Sequence, residues 1–273
     1  MDLAAAGFSL SIHPIANLRP HEETIPSHVE AIAEDLRRDH VQKDPILIDG
    51  RSRAVLDGMH RIAAFHKLGL ENAVCCSVEY DRDSVLLGRW ARVYEDAAVR
   101  ELELLVKEVG FGRQASRTQA ISELDKRKTG LAAFLGESVL LPDRKMTVAE
   151  AFAMVREIDK ASQMGGWGRK FVRDDELDGI EQLQRKLIIL VERLLKSEVV
   201  SAAVSGKLFP CKTSLHSVDP RPVAVNFPIS ELSNATTADL QELLGKTEGR
   251  ILPANSVYGG RRYKERLLLL NPV

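Results

Sequence analysis

Apolar residues recur along this chain in two rhythms. Phe8-Ser9-Leu10-Ser11-Ile12 alternates with a period of two and predicts a strand. Pro45-Ile46-Leu47-Ile48 is a short unbroken apolar run of the kind a buried strand makes. Ala54-Val55-Leu56 is its returning partner, with Asp49-Gly50 and the polar Arg51-Ser52-Arg53 as the hairpin turn. From His60 the rhythm becomes helical: Ile62, Phe65 and Leu68 recur with Ala64 among them, and Gly69 supplies a C-terminal stop. Ala73 to Tyr80 predicts a further strand. Ahead of these elements, Val29, Ile32, Ala33 and Leu36 form the apolar face of a helix, with Ser27 as N-cap and Glu30 completing a capping box. Residues 95 to about 206 read as mostly helical, with Leu102, Leu105, Val106 and Val109 on one stripe. A longer stripe runs through Ile180, Leu183, Leu187, Leu190, Val191 and Leu194. Leu140-Leu141-Pro142 and the stretch from Met164 to Lys170 interrupt the helices. The pattern gives an α/β chain in three parts: 1–95, a mostly helical elaboration over 96–206, and a mixed α/β C-terminal lobe over 207–273.

A chain of 273 residues buries a real core and has room for two domains, or for one with a large elaboration. Its formal charge of −1 gives no general attraction to nucleic acid or to an anionic membrane. The three cysteines, Cys75, Cys76 and Cys211, make neither a disulfide framework nor a Cys-x-x-Cys metal site, and a reducing cytoplasm is the simplest compartment. No stretch stays apolar for the length of a bilayer span, and Met1 to Leu10 lacks a basic leader. The expectation is a soluble, cytoplasmic protein with small-molecule partners.

Candidate chemistry concentrates where the second hairpin strand meets the helix. Gly58 permits a sharp turn and puts His60 and Arg61 at a helix N-terminus, where backbone N–H groups and the helix dipole favour an anion such as a phosphate. Asp57 could hold a divalent cation sharing the phosphate oxygens. Asp-Gly before a helix is equally ordinary turn chemistry. His21-Glu22-Glu23 follows a proline and precedes a helix, so by pattern alone it reads as an exposed lead-in. Lys212, Thr213, Ser214 and His216 gather donors and positive charge after Pro210, as an anion or amino-acid pocket requires, or form a polar hairpin. Trp90, one of two tryptophans in the chain, reads by itself as a core residue.

The run Val55-Leu56-Asp57-Gly58-Met59-His60-Arg61, placed after Pro45 to Ile48, resembles the core signature of the ParB/sulfiredoxin superfamily, a small α/β domain that binds nucleotides at this turn. Sulfiredoxins carry a catalytic cysteine where this chain has Met59, which excludes thiol chemistry here. The Gly-Glu-Arg-Arg run of chromosome-partition proteins is not matched. The Asp-Gly-X-His-Arg form is similar to the free serine kinases of the superfamily. So is the C-terminal series Pro210, Lys212, Thr213, Ser214, His216, then Arg221-Pro222, then Asn226-Phe227-Pro228-Ile229, and the closing segment Leu252 to Tyr263.

The resemblance implies a phosphotransferase that moves the terminal phosphoryl group of ATP or ADP to free L-serine, with Mg²⁺ at Asp57. It implies catalytic roles for Glu22 as general base, with Glu23 one residue away as the fallback, and for Asp57 and His60. Nucleotide contacts would come from Asp57, Gly58, Met59, His60, Arg61, Lys212 and Thr213. Contacts to serine would come from Glu22, Trp90, Ser214, His216 and Arg221. Leu215 stands where the family has an arginine, which leaves the pocket one positive charge short or makes Arg221 carry more of the task. Both donors present a terminal phosphate, and nothing in the turn separates them. The rival is a ParB-like nucleotide-dependent DNA-binding protein, which needs a helix-turn-helix; Gly110 to Lys128 is the place for one.

Overall fold

The structure is a computed structural model and describes residues 7–179, 186–245 and 249–271. The chain opens with β1 (Phe8–Pro14), α1 (Pro26–Asp39), β2 (Val41–Gln42), β3 (Ile46–Asp49), β4 (Val55–Asp57), α2 (Met59–Lys67), β5 (Asn72–Val78) and β6 (Val85–Glu95). It continues through α3 (Val99–Glu108), β7 (Phe111–Gln114), α4 (Arg117–Asp125), β8 (Leu131–Leu135), β9 (Ser138–Pro142), α5 (Val148–Met164), β10 (Gly168–Arg173) and β11 (Leu187–Val191). The last stretch holds α6 (Lys196–Ser205), β12 (Ser214–Val218), β13 (Arg221–Val223), β14 (Phe227–Pro228), α7 (Thr237–Gly245), β15 (Arg250–Leu252), β16 (Val257–Tyr258), β17 (Arg261–Arg262) and β18 (Leu267–Leu269).

These elements form two compact units. The first comprises residues 1–86, 196–211 and 216–273, and the second 87–195 and 212–215. In the first unit a mixed sheet runs β1-β5-β3-β4, with β5 and β3 parallel and the outer pairs antiparallel. Parallel pairing requires a crossover, and the chain supplies it as β4 and α2 between β3 and β5. Ile62, Ala64 and Phe65 of α2 and Ala33 and Leu36 of α1 close over Ile46 and Ile48 as one core. Cys75 and Cys76 are buried, and burial pushes both thiols well above their ordinary range, so they serve as small core residues. The C-terminal part of the chain adds β13-β18-β15 and pairs β14 with β2.

In the second unit a sheet runs β10-β6-β11-β8-β9-β7, with α4 packed through Ala120 and Leu124 against Ala132, Phe134 and Leu141. This corrects the expectation of a mostly helical middle region. Helices α3, α4 and α5 are present, and Leu102 and Val106 of α3 are buried as the stripe predicts. Leu187 to Val191, however, is a strand buried on both faces. A continuous five-residue apolar run satisfies helical spacing and a central strand alike, and pairing with β6 and β8 decides for the strand. Ile180 and Leu183 of that stripe lie outside the described residues, as do Met1 to Ala6. Gly110 to Lys128 folds as β7 followed by the single helix α4. It is therefore not a helix-turn-helix.

Helix α1 begins earlier than expected. Ile25 is its N-cap and Pro26 sits in the first turn, so Ser27 is inside the helix and the capping box is absent.

Candidate active site

The sequence from Asp49 to Arg61 builds the turn as anticipated. The Asp49 carboxylate accepts from the Ser52 N–H at 2.8 Å and from its hydroxyl at 2.5 Å, fixing the hairpin between β3 and β4. Gly58 then adopts φ +114°, a conformation that L side chains resist, and a Cβ there would lie 2.8 Å from Ile46 Cδ1. No side chain caps α2, so its first-turn N–H groups are presented by a residue that offers no acceptor of its own. Met59 packs against the core and gives this turn only its backbone.

The loop that carries Glu22 is stitched to this turn at several points. Arg19 N–H donates to Arg53 O and Val55 N–H to Arg19 O, each at 3.0 Å. Nδ1–H of buried His21 donates to Val55 O at 2.8 Å, because a carbonyl can only accept. His60 Nε2 accepts from Ile25 N–H at 3.0 Å, which places the proton of the neutral ring on Nδ1. Behind the loop, Phe209 N–H donates to His21 O at 2.9 Å and Glu23 N–H to Phe209 O at 2.8 Å. The result is that Glu22 is only 4% exposed while Glu23 points to solvent. Glu22 Oε1 lies 3.6 Å from His21 Nε2.

Two arginines hold Asp57. Arg61 Nη2 lies 3.1 Å and Arg221 Nη1 3.0 Å from the same oxygen, Oδ2. Arg61 is drawn to the turn as predicted, but it also donates Nη1 to the Asp44 and Pro45 carbonyls at 2.8 and 2.7 Å, so it clamps the approach to β3. Arg221 is buried, and each of its nitrogens makes a contact: beside Nη1 at Asp57, Nε meets Glu265 Oε1 at 2.5 Å and Nη2 donates to the His216 carbonyl, which uses three of its five N–H donors. Glu265 was not foreseen. It lies in the charged run Lys264-Glu265-Arg266, which reads as solvated surface, and only the return of the chain through β18 brings it inside.

His216 lies within electrostatic reach of His21, Glu22, Asp57 and Arg221. Burial first, and His21 next, push its pKa down to about 3, so the ring is neutral. Its Nε2 is 2.7 Å from the Tyr80 hydroxyl, and its ring stands edge-on to His21 with centroids 5.6 Å apart.

Among the described residues no group of three or more His, Cys, Asp or Glu side chains converges to hold a metal ion. Asp57, 41% exposed at its side chain, is a single carboxylate shared with two guanidinium groups. That donor set suits a Mg²⁺ ion that arrives on phosphate oxygens with its own water, not one caged by protein.

The remaining predicted residues, Trp90, Lys212, Thr213 and Ser214, belong to the second unit. Trp90 Nε1–H donates to Ser214 O at 3.1 Å, and Lys212 Nζ sits 5.1 Å over the Trp90 ring as a cation–π pair. Lys212 adopts φ +56° in the turn that presents it.

No family model matches the chain. A ParB-like protein of Sulfolobus acidocaldarius is 36% identical over 85 residues, a match that takes in 31% of this chain and 42% of that protein. This chain therefore spans less than half of that relative. An ATP-dependent L-serine kinase of Staphylothermus marinus is 24% identical over 227 residues, covering 80% of this chain and 89% of the kinase. An ADP-dependent L-serine kinase of Thermococcus kodakarensis is 22% identical, covering 79% and 89%. A free serine kinase in complex with AMP superposes with a TM-score of 0.68 at 19% identity, over 82% of this chain and 93% of its own. A variant in complex with ADP gives 0.67 at 20% identity over the same shares.

The fold is that of the free serine kinases. The expectation drawn from the Asp57 to Arg61 turn and the Pro210 to His216 run is borne out at the level of the fold. The free serine kinase fold extends well beyond the segment shared with the ParB-like relative. No helix of the described residues is long and apolar enough to cross a membrane.

Proposed function

We propose that this protein phosphorylates free L-serine, transferring the terminal phosphoryl group of ATP or ADP to the hydroxyl and releasing O-phospho-L-serine. The likeness to L-serine kinases over four fifths of the chain supports the reaction class. The observation that carries the reading within the site is the stitching of the His21-Glu22 loop to β4 and α2, which keeps a buried carboxylate against the turn that would take phosphate.

In the reaction, the serine hydroxyl proton goes to Glu22 as the serine oxygen attacks phosphorus. The bond to the bridging oxygen breaks, and its electron pair leaves on the shortened nucleotide. The N–H groups of Gly58, Met59, His60 and Arg61 hold the phosphate oxygens, and His60 adds a donor. Asp57 is the carboxylate available to share Mg²⁺ with the phosphates, and the ion would neutralise charge on the transferred group. Arg61 and Arg221 keep Asp57 in place. His216 and Arg221 supply the polar side of the serine pocket. Water exclusion follows from the burial of Glu22, His21 and His216.

The test is direct formation of phosphoserine from serine, Mg²⁺ and either ATP or ADP, followed by mass spectrometry or phosphorus NMR. With the wild type active, Glu22→Gln should lower kcat by about 10²-fold to 10⁴-fold, the usual worth of a positioned base, while Glu23→Gln stays close to wild type. No product with either nucleotide rejects the kinase. Equal losses in the two variants reject Glu22 as the base.

A further inference from the structure

The proposed reaction leaves Tyr80 unused, yet this side chain is buried and makes one well-formed contact, its hydroxyl to His216 Nε2 at 2.7 Å. Lys196 steadies the ring from outside: its ammonium lies 5.3 Å over the Tyr80 face and donates to Arg82 O at 2.9 Å. The other nitrogen of the imidazole, His216 Nδ1, is buried with no hydrogen-bond partner among the described residues. A buried polar atom left in that condition in an otherwise satisfied cluster calls for a ligand or a reacting group.

The contact can be drawn in two ways. If Nε2–H donated to the phenol oxygen, the Tyr80 proton would have no acceptor, and Nδ1 would be a bare lone pair in a region that already holds the Glu22 and Asp57 carboxylates. If the phenol donates to Nε2, Tyr80 is satisfied and the ring proton resides on Nδ1, where neighbouring negative charge favours it. Burial excludes a doubly protonated ring and keeps the Tyr80 phenol un-ionised, so it retains a proton to give.

We infer that Tyr80 is a positioning residue: it donates to His216 Nε2, fixes the Nδ1–H tautomer, and so keeps one N–H donor in reserve for an oxygen of the acceptor substrate. This rests on the serine kinase reading for the identity of the acceptor, whose carboxylate oxygens are the complement of a neutral N–H donor beside an arginine-bound framework. It does not rest on that reading for the tautomer.

The experiment uses ¹⁵N-histidine-labelled full-length protein and long-range proton–nitrogen correlation, with His216→Asn to assign the signal. Wild-type His216 should show protonated Nδ1 and unprotonated Nε2 at neutral pH. In Tyr80→Phe, which retains the ring and its Lys196 contact, that fixed pattern should give way to a mixed or reversed one. KM for serine should rise about tenfold, while kcat changes less than threefold. A wild-type ring protonated on Nε2, or an unchanged tautomer in Tyr80→Phe, overturns the inference. An unchanged KM in that variant overturns it too. If the wild type makes no phosphoserine, the reaction assignment fails, and the nitrogen spectrum still decides the part of Tyr80.

Discussion

Replacing Arg221 with methionine is the perturbation whose magnitude the structure fixes best. Arg221 is buried and contacts three oxygens: Glu265 Oε1, Asp57 Oδ2 and the His216 carbonyl. Methionine fills much of the same space and restores none of these contacts. The heaviest loss is at Glu265, whose side chain is 7% exposed and would be left as an unpaired buried charge; removing one member of such a pair costs about 3–5 kcal/mol. Asp57 loses less, because it keeps Arg61 and much of its contact with water. The carbonyl adds about 1 kcal/mol. Arg221→Met should therefore destabilise the protein by about 4–6 kcal/mol, a large part of the 5–15 kcal/mol typical of a folded domain.

Urea unfolding followed by circular dichroism would read this as a lower midpoint at constant slope. Adding Glu265→Leu removes the stranded charge, so the double variant should recover to within about 1–2 kcal/mol of wild type. A single-variant loss below about 1 kcal/mol would refute the reasoning, as would a double variant no more stable than the single.

Two further outcomes follow from geometry and charge. Gly58→Ala introduces a side chain at φ +114° against Ile46, and should lower stability by about 1–3 kcal/mol and weaken nucleotide affinity in calorimetry. Gly69→Ala, at φ +70° with open space around it, should cost only about 1 kcal/mol and leave affinity unchanged; equal binding losses in both would deny the turn its role. His216 has a folded pKa near 3 against 6.5 when unfolded, so below pH 6.5 the unfolded chain takes up a proton that the folded chain refuses. Its contribution is intact above pH 6.5 and is lost towards pH 3, at about 1.4 kcal/mol per pH unit. His216→Asn should flatten the stability profile by that slope in this window; an unchanged slope would contradict the buried neutral ring.

Local chemistry was legible in the sequence wherever one or two neighbouring residues decide it. Gly58, the Asp49 turn, the stop at Gly69 and the buried faces of α1 and α2 all follow from spacing and backbone preference. The strand β11 was not legible, because Leu187 to Val191 fits either periodicity and its partners β6 and β8 are remote in sequence. Arg61 was anticipated at the turn, but its commitment to the carbonyls of Asp44 and Pro45 depends on a bend sixteen residues upstream. Glu265 and Tyr80 carried no signal at all. Each gains its meaning from a partner more than forty residues away.

The first unit is assembled from three separate lengths of chain, and its last strand, β18, pairs with both β13 and β15. During synthesis the turn at Gly58 leaves the ribosome long before Arg221 and Glu265 do. In the early segment Asp57 has only Arg61 to hold it. The second hold on Asp57 is thus completed only once residue 265 has been made, because Glu265 is what anchors the Arg221 guanidinium.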